Sequence, residues 1–152
     1  MKYLVLLLTI SSFAVFSQEP EELFWEDMIP KNYIAPQEEV NHDGSMVQQS
    51  LNAPVVNELD GKVVKIPGFV VPLEGSSDTT KEFLLVPYFG ACIHVPPPPN
   101  QIVYVKFPDG VPIDNIYDAV WVTGTLATQV WEGDLATVGY TMQGIEVTPY
   151  DG

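Results

Sequence analysis

The last two-thirds of the chain is a succession of short hydrophobic runs in which apolar and polar positions alternate. Each run is rich in Val, Ile, Thr, Phe or Tyr, and most end at a cluster of Gly, Pro, Asp or Ser, as β-strands bounded by turns do. The five runs are residues 61–73, 82–88, 101–107, 119–127 and 138–149. No internal repeat relates them, so the pattern predicts one mainly β domain.

Two of the predicted strands contain a glycine in their interior. Gly68 follows Pro67 inside the first run, and Gly124 lies at the centre of the fourth. A glycine inside a strand marks a bulge or a bend, and a sheet needs such bends to coil and close on itself. Five strands with two bends predict a small antiparallel, OB-like barrel. A two-sheet β-sandwich is the alternative fold.

The residues before these strands differ in composition. Residues 18–52 are polar and acidic and are interrupted by three prolines. Proline and acidic residues in a first turn, followed by apolar residues at helical spacing, predict a short helix over 20–29, and Ser45 can cap another. We therefore divide the mature chain into an acidic, partly helical N-terminal arm at 18–52 and a β-barrel domain at 53–152.

Residues 1–17 have the pattern of a signal peptide. Lys2 is followed by an apolar stretch of roughly 14 residues, shorter than the ~20 that span a bilayer. Val15 and Ser17 supply the small residues that a signal peptidase requires, and no cysteine follows to direct lipid attachment. We expect cleavage after Ser17 and a soluble periplasmic protein without stable membrane insertion.

The charge of the chain limits its partners. The 152 residues include 20 Asp and Glu against 6 Lys and no Arg, a formal charge of −14. Nucleic acids are excluded because phosphate binding requires clusters of Lys and Arg. A hydrophobic content of 46% is enough for a packed core, so disorder does not explain the acidity. An envelope protein or a transporter component is the expected partner of this acidic protein.

The segment at residues 89–101, Phe-Gly-Ala-Cys-Ile-His-Val-Pro-Pro-Pro-Pro-Asn-Gln, carries the most distinctive chemistry. Cys92 is the single cysteine, so no intrachain disulfide is available to it. On extended backbone Cys92 and His94 share one face, where a thiolate and an imidazole can bind one zinc or copper ion. In the alternative interpretation Cys92 is a small buried apolar residue and the prolines cover an edge of the barrel.

The number of metal-binding side chains constrains such a site. With one Cys and two His in the sequence, a closed set of four Cys and His ligands cannot form within one chain. Cys92 and His94 would need further ligands, for which the candidates are His42, Glu82, Asp118 and Met142. An open site of this kind suits reversible metal delivery better than a structural role. His42 follows Asn and precedes Asp-Gly, which is also typical of a solvated turn.

Catalytic signatures do not appear in the sequence. It has no phosphate-binding loop, dinucleotide fingerprint or Cys-x-x-Cys pair. A nucleophilic Cys92 would require an oxyanion-binding loop or a helix N-terminus after it, where this chain has four prolines instead. We therefore do not expect an enzyme and assign no catalytic residue.

The segment at residues 89–101 also resembles a known family. Together with Leu-Asp-Gly-Lys at 59–62, Gly-Phe-Val-Val-Pro-Leu at 68–73 and Phe-Leu-Leu-Val-Pro at 83–87, it is similar to an exported bacterial family, the domain of unknown function DUF3299. The resemblance covers about residues 53–150. It implies a periplasmic protein of a Gram-negative bacterium and carries no catalytic residue, because the family has no assigned activity.

These observations favour a periplasmic metal-binding or metal-handling accessory protein that uses the Cys-x-His pair for zinc or copper. The alternative is a non-enzymatic module without metal, which binds an envelope protein through the barrel and an exposed segment at residues 95–101. The aromatic residues that could line such a surface are Tyr88, Phe89, Tyr104 and Trp121.

Overall fold

β-Strands dominate the part of the chain that the structure describes. The structure, a computed structural model, describes residues 19–36, 47–48, 50–76, 79–91 and 96–151. Its strands are β1 (Glu21–Glu22), β2 (Val63–Gly75), β3 (Thr80–Val86), β4 (Val103–Val111), β5 (Val120–Ala127), β6 (Trp131–Glu132), β7 (Thr137–Val138) and β8 (Tyr140–Pro149). Short 3-10 helices lie at Trp25–Met28, Asn57–Leu59 and Pro99–Gln101. Within the described residues, no helix has the length and apolar character needed to cross a membrane.

Five of the strands close into a barrel. They pair in the order β2, β3, β4, β8, β5, and β5 pairs again with β2. The predicted OB-like barrel is therefore confirmed, and the sandwich alternative is wrong. Four of the five pairings are antiparallel, whereas β4 and β8 run parallel. A fully antiparallel ring was expected, but a closed ring with an odd number of strands cannot alternate in direction throughout, so one pairing must be parallel.

Strand β2 bends at Gly68 and changes its partner there. Up to Gly68, which lies opposite Val120, the strand pairs with β5; from Phe69, which lies opposite Val86, it pairs with β3. A Cβ atom at position 68 would lie only 2.6 Å from the carbonyl oxygen of Val86. The change of partner therefore falls at the glycine where a bend was predicted, and the absence of a side chain permits the close approach of β3.

The second predicted bend, at Gly124, coincides with a β-bulge. The register of β5 against β8 shifts between Thr123 and Gly124, which leaves Ile145 of β8 as the additional residue. A bulge of this kind increases the local twist and bends the strand. The sheet therefore turns toward closure where β5 and β8 meet.

The interior of the barrel is filled by alternate residues from all five strands. The fully buried members include Val64, Ile66, Phe83, Leu85, Val103, Val105, Val122, Leu126 and Tyr140. The rings of Phe83 and Phe107 stack inside it with centroids 6.0 Å apart. Burial of a Val, Leu, Ile or Phe side chain contributes about 1.5–3 kcal/mol, so this cluster is the main source of stability.

A second apolar cluster covers the outer face of β3 and β4. Leu84 and Val86 of β3 and Ile102 before β4 are fully buried there, although a barrel strand commonly exposes its outer face. The hairpin of β6 and β7 lies over them, and its Trp131 ring stacks on Tyr104 with centroids 4.3 Å apart. This hairpin, which the sequence pattern did not predict, explains why β3 is apolar on both faces.

The N-terminal arm begins with a strand, so the predicted helix over 20–29 is wrong in its first half. The bend in β2 leaves one edge of its first segment open, and β1 pairs with that edge in parallel. Helical structure is confined to the 3-10 turn Trp25–Met28. Leu23 and Met28 are buried in the barrel cluster, which holds the arm in place. Ser45, which was expected to cap a second helix through Gln48 and Gln49, lies outside the described residues, and Val47 and Gln48 are not helical.

Tyr140 joins the arm to the barrel from inside the core. Its hydroxyl donates a hydrogen bond to the carbonyl oxygen of Met28 at 2.9 Å and accepts one from the backbone N–H of Val56 at 2.7 Å. Burial raises the pKa of this phenol above its ordinary value. The indole N–H of Trp25 donates a further hydrogen bond to the carbonyl oxygen of Pro67 at 2.7 Å. The arm is thus part of the folded unit.

We expect Gly124→Val to destabilise the protein by about 1–3 kcal/mol. A Cβ atom at this position would lie 2.5 Å from the carbonyl oxygen of Gln143 and 2.5 Å from Cγ of Met142, so strand β8 must move. Chemical denaturation provides the measurement, with Thr125→Val as the matched control one residue along the strand. Equal unfolding free energies for Gly124→Val and the parent protein would show that close strand approach is not required here.

Candidate functional site

The residues on both sides of the Cys-x-His motif are buried, whereas Cys92, His94 and also His42 lie outside the described residues. Ala91, immediately before Cys92, is 1% exposed and packs into the cluster on the outer face of β3 and β4. Pro96, the second residue after His94, is also buried. The chain therefore enters and leaves the motif at two positions that are packed against the barrel.

Gln48 holds the chain after the motif against the covering hairpin. Its carboxamide N–H groups donate to the carbonyl oxygens of Pro97 and Thr137, each at 2.7 Å. Its carboxamide oxygen accepts a hydrogen bond from the backbone N–H of Thr137, also at 2.7 Å. One half-buried side chain thereby connects the arm, the proline run and strand β7.

Three further hydrogen bonds connect residues 99–101 to other parts of the chain. The carbonyl oxygen of Pro99 accepts from the Gly139 N–H at 2.7 Å, and the Asn100 carboxamide donates to the Pro54 carbonyl oxygen at 2.9 Å. Gln101 donates to a carbonyl oxygen of the arm at 2.9 Å. The expectation that residues 95–101 form an exposed binding segment is wrong for 96–101, which are buried or half-buried. Prolines lack an N–H, but their carbonyl groups still accept hydrogen bonds.

Glu82, one of the candidate additional ligands, already has two partners. Its carboxylate lies 2.9 Å from the ammonium nitrogen of Lys106 and accepts a hydrogen bond from the Tyr104 hydroxyl. The hydrogen bond from Lys106, followed by that from Tyr104, holds the pKa of Glu82 below its ordinary value. Burial, together with Glu82, raises the pKa of Tyr104 to about 12. A metal ion would have to displace Lys106 to gain this carboxylate.

Met142 and Asp118 lie in different environments. Met142 is 2% exposed within the barrel cluster, on the far side of the barrel wall from the covered outer face. Asp118 is exposed on the loop at residues 112–119, where it accepts a hydrogen bond from the Asn115 carboxamide at 3.0 Å. Among the residues that the structure describes, no three of the types His, Cys, Asp and Glu lie close enough together to hold an ion.

Asp118 belongs to the loop that contacts the chain leading into the motif. The ring of Tyr117, its neighbour, lies 5.4 Å from that of Phe89, three residues before Cys92. Of the three candidate ligands that the structure describes, only Asp118 is exposed and also lies on a loop that contacts this chain segment. Sequence spacing could not indicate this, because the two segments are far apart along the chain.

The aromatic residues proposed for a binding surface divide into two groups. Tyr104 and Trp121 are buried, so they do not form part of an open surface. Tyr88 and Phe89 are 54% and 53% exposed. Sequence analysis did not select Tyr117, whose side chain is 66% exposed and in contact with Phe89. No periodic pattern marks Tyr117, since it lies in an irregular loop.

The closed barrel, with its covered outer face and packed arm, defines a small OB-like barrel protein. A family model described as "Protein of unknown function (DUF3299)" matches residues 25–149, so the chain belongs to the DUF3299 family. The match begins well before residue 53, where the resemblance was expected to start. The arm is therefore included in the family unit, in agreement with its hydrogen bonds to the barrel.

A solved relative supports the same assignment. The crystal structure of a DUF3299 family protein (PA4066) from Pseudomonas aeruginosa PAO1, at 2.45 Å resolution, is similar to this chain with a TM-score of 0.76. The two sequences are 47% identical, and the similarity covers 89% of this chain and 99% of the other. Comparison with curated proteins finds no match.

We expect Gln48→Leu to lower the free energy of unfolding by about 1–3 kcal/mol, because it leaves the carbonyl and N–H groups of Thr137 and the Pro97 carbonyl without their partner. Chemical denaturation measures the loss, and faster hydrogen exchange of the Thr137 amide would locate it. Gln129→Leu is the matched control, since Gln129 is exposed. An unchanged Thr137 exchange rate in Gln48→Leu would contradict this assignment.

Proposed function

We propose that this protein is a periplasmic metal-handling accessory that binds zinc or copper through Cys92 and His94. The observation that carries the proposal is the burial of the chain on both sides of the motif, at Ala91 and Pro96. Four residues connect these two packed positions, and they include the cysteine and one of the two histidines of the whole sequence.

Packing of the chain on both sides of the motif favours ion binding, because it reduces the conformational entropy that binding costs. Two ligands on a free chain lose conformational freedom when they converge on one ion, and this loss weakens binding. Here the cluster on the outer face of β3 and β4 holds Ala91, and the hydrogen bond from Gln48 holds Pro97, so folding itself already limits the separation of the two ends. Cys92 and His94 then have to converge on one ion within a span of only four residues.

The expected coordination sphere is incomplete within the motif. A thiolate and a neutral imidazole are good ligands for zinc and copper, but zinc is normally four-coordinate. Among the candidates that the structure describes, which do not include His42, Asp118 is the favoured third protein ligand, because Glu82 is paired with Lys106 and Met142 is enclosed in the barrel. Remaining positions would be taken by water or by a partner protein. Such a site exchanges its ion readily, as delivery requires.

The test is a titration of zinc and of Cu(I) into the parent protein, Cys92→Ser and His94→Ala, with calcium as the control ion. We expect each substitution to weaken zinc binding at least roughly tenfold. Protons compete with the ion for both ligands, so affinity should fall as pH decreases through the histidine range near ~6.5. Equal uptake of zinc by all three proteins would contradict the proposal.

A matched pair of substitutions tests the third ligand. Asp114 and Asp118 are exposed carboxylates on the same loop, so Asp114→Asn and Asp118→Asn change the charge by the same amount. If Asp118 binds the ion, Asp118→Asn alone weakens zinc binding. If the carboxylates act only through the general negative charge, both variants weaken it equally, and the effect disappears at high salt.

The proposed location depends on the removal of residues 1–17. The charged start, the short apolar stretch and the small residues at its end support export and cleavage after Ser17. N-terminal sequencing of the protein recovered from a periplasmic extract of a Gram-negative host should therefore find Gln18 as the first residue. Recovery of a product that retains Met1 from the membrane fraction would contradict both the cleavage and the location.

A further inference from the structure

An exposed aromatic cluster lies beside the chain that leads into the Cys-x-His motif. The rings of Phe69 and Phe89 meet edge to face with centroids 6.1 Å apart, and Tyr117 contacts Phe89 at 5.4 Å. Phe69 is partly buried against the outer cluster of the barrel, which gives the group a rigid base. Tyr88 and Ile116, the chain neighbours of Phe89 and Tyr117, extend the apolar character of the surface.

The outermost members of this cluster keep much of their surface in water. Phe89 is 53% exposed and Tyr117 is 66% exposed, although both already contact another aromatic ring. Single exposed apolar side chains are normal, but a contiguous group of large ones is typical of an interaction site. Aromatic residues are also the types that most often dominate binding energy at protein interfaces.

The charges next to the cluster are negative. The loop at residues 112–119 carries Asp114 and Asp118 and no lysine, and both carboxylates are exposed. The lysines nearest in sequence to Phe69, Phe89 and Tyr117 are Lys65, Lys81 and Lys106, and Lys65 and Lys106 are paired with glutamates. Aromatic faces next to carboxylates favour a cationic group, which gains both cation–π and charge attraction.

We propose that this aromatic cluster is the docking surface for a basic segment of another protein, one that carries arginine or lysine next to aliphatic residues. A guanidinium or ammonium group would lie over Phe89 or Tyr117 within reach of Asp114 or Asp118, and the aliphatic residues would cover the remaining ring surface. The formal charge of −14 would attract such a segment from a distance.

The same charge argues against a second copy of this chain as the occupant. Two chains of −14 repel each other, and the cluster offers no lysine to offset this repulsion. The two proposals share only Asp118, because the rings of Phe69, Phe89 and Tyr117 carry the docking surface and Cys92 and His94 carry the metal site. A failure of one proposal therefore leaves the other in place.

The test uses two labelled synthetic peptides, one in which arginine alternates with leucine and one in which glutamate replaces every arginine. Fluorescence anisotropy should detect binding of the arginine peptide, but not of the glutamate peptide, to the full mature protein. Tyr117→Ser and Phe89→Ser should each weaken binding about tenfold, as substitutions at interface hot spots do. Ile145→Ser is the matched control, since Ile145 is 60% exposed and belongs to neither aromatic contact.

Further variants separate docking from general attraction and from metal binding. Asp114→Asn combined with Asp118→Asn should weaken binding at low salt more than Glu26→Gln combined with Glu58→Gln, which removes the same charge from exposed residues of other segments. Cys92→Ser should bind the peptide as the parent protein does. Tyr117 lies on an exposed loop, so its variant should keep the parent melting temperature. Parent-like peptide affinity in Tyr117→Ser and Phe89→Ser, or self-association without peptide binding, would overturn the proposal.

Discussion

The change of partner at Gly68 is the constraint on which the rest of the architecture depends. Because β2 pairs first with β5 and then with β3, one strand belongs to both sides of the barrel and closes it. The close approach of the Val86 carbonyl oxygen requires that position 68 have no side chain. The same bend leaves an edge of the first half of β2 open, and β1 occupies that edge. The pairing of the arm with the barrel therefore depends on the way in which β2 closes the barrel.

The cover on the outer face of β3 and β4 determines the surroundings of the candidate site. The hairpin of β6 and β7 and Ala91 pack over β3 and β4, where a typical OB-like barrel presents a binding surface. Ligands are therefore not expected on that face. The polar side chain that joins these pieces, Gln48, comes from the arm. The chain that follows the motif is thus connected to the arm and to strand β7 through one carboxamide with three hydrogen bonds.

Period-2 alternation and two interior glycines were sufficient to predict five strands and a barrel, because both signals are local. The parallel pairing of β4 and β8 could not be predicted in the same way, since it follows from the odd number of strands and from chain order. The hairpin of β6 and β7 was missed because each strand has two residues, too few for a periodic pattern. Likewise, the contact between Phe89 and Tyr117 joins a strand end to an irregular loop, and only the folded chain brings them together.

The distribution of charge determines what kind of selectivity the candidate site needs. Three lysines, Lys62, Lys65 and Lys106, are already paired with glutamates, so the remaining acidic surface has few internal counterions. Such a surface attracts any divalent cation, and carboxylates are ligands that suit calcium and magnesium. Preference for a softer ion can come only from sulfur and nitrogen ligands. In a chain with one cysteine and two histidines, that requirement makes Cys92 and His94 the central ligands of the proposed zinc or copper site.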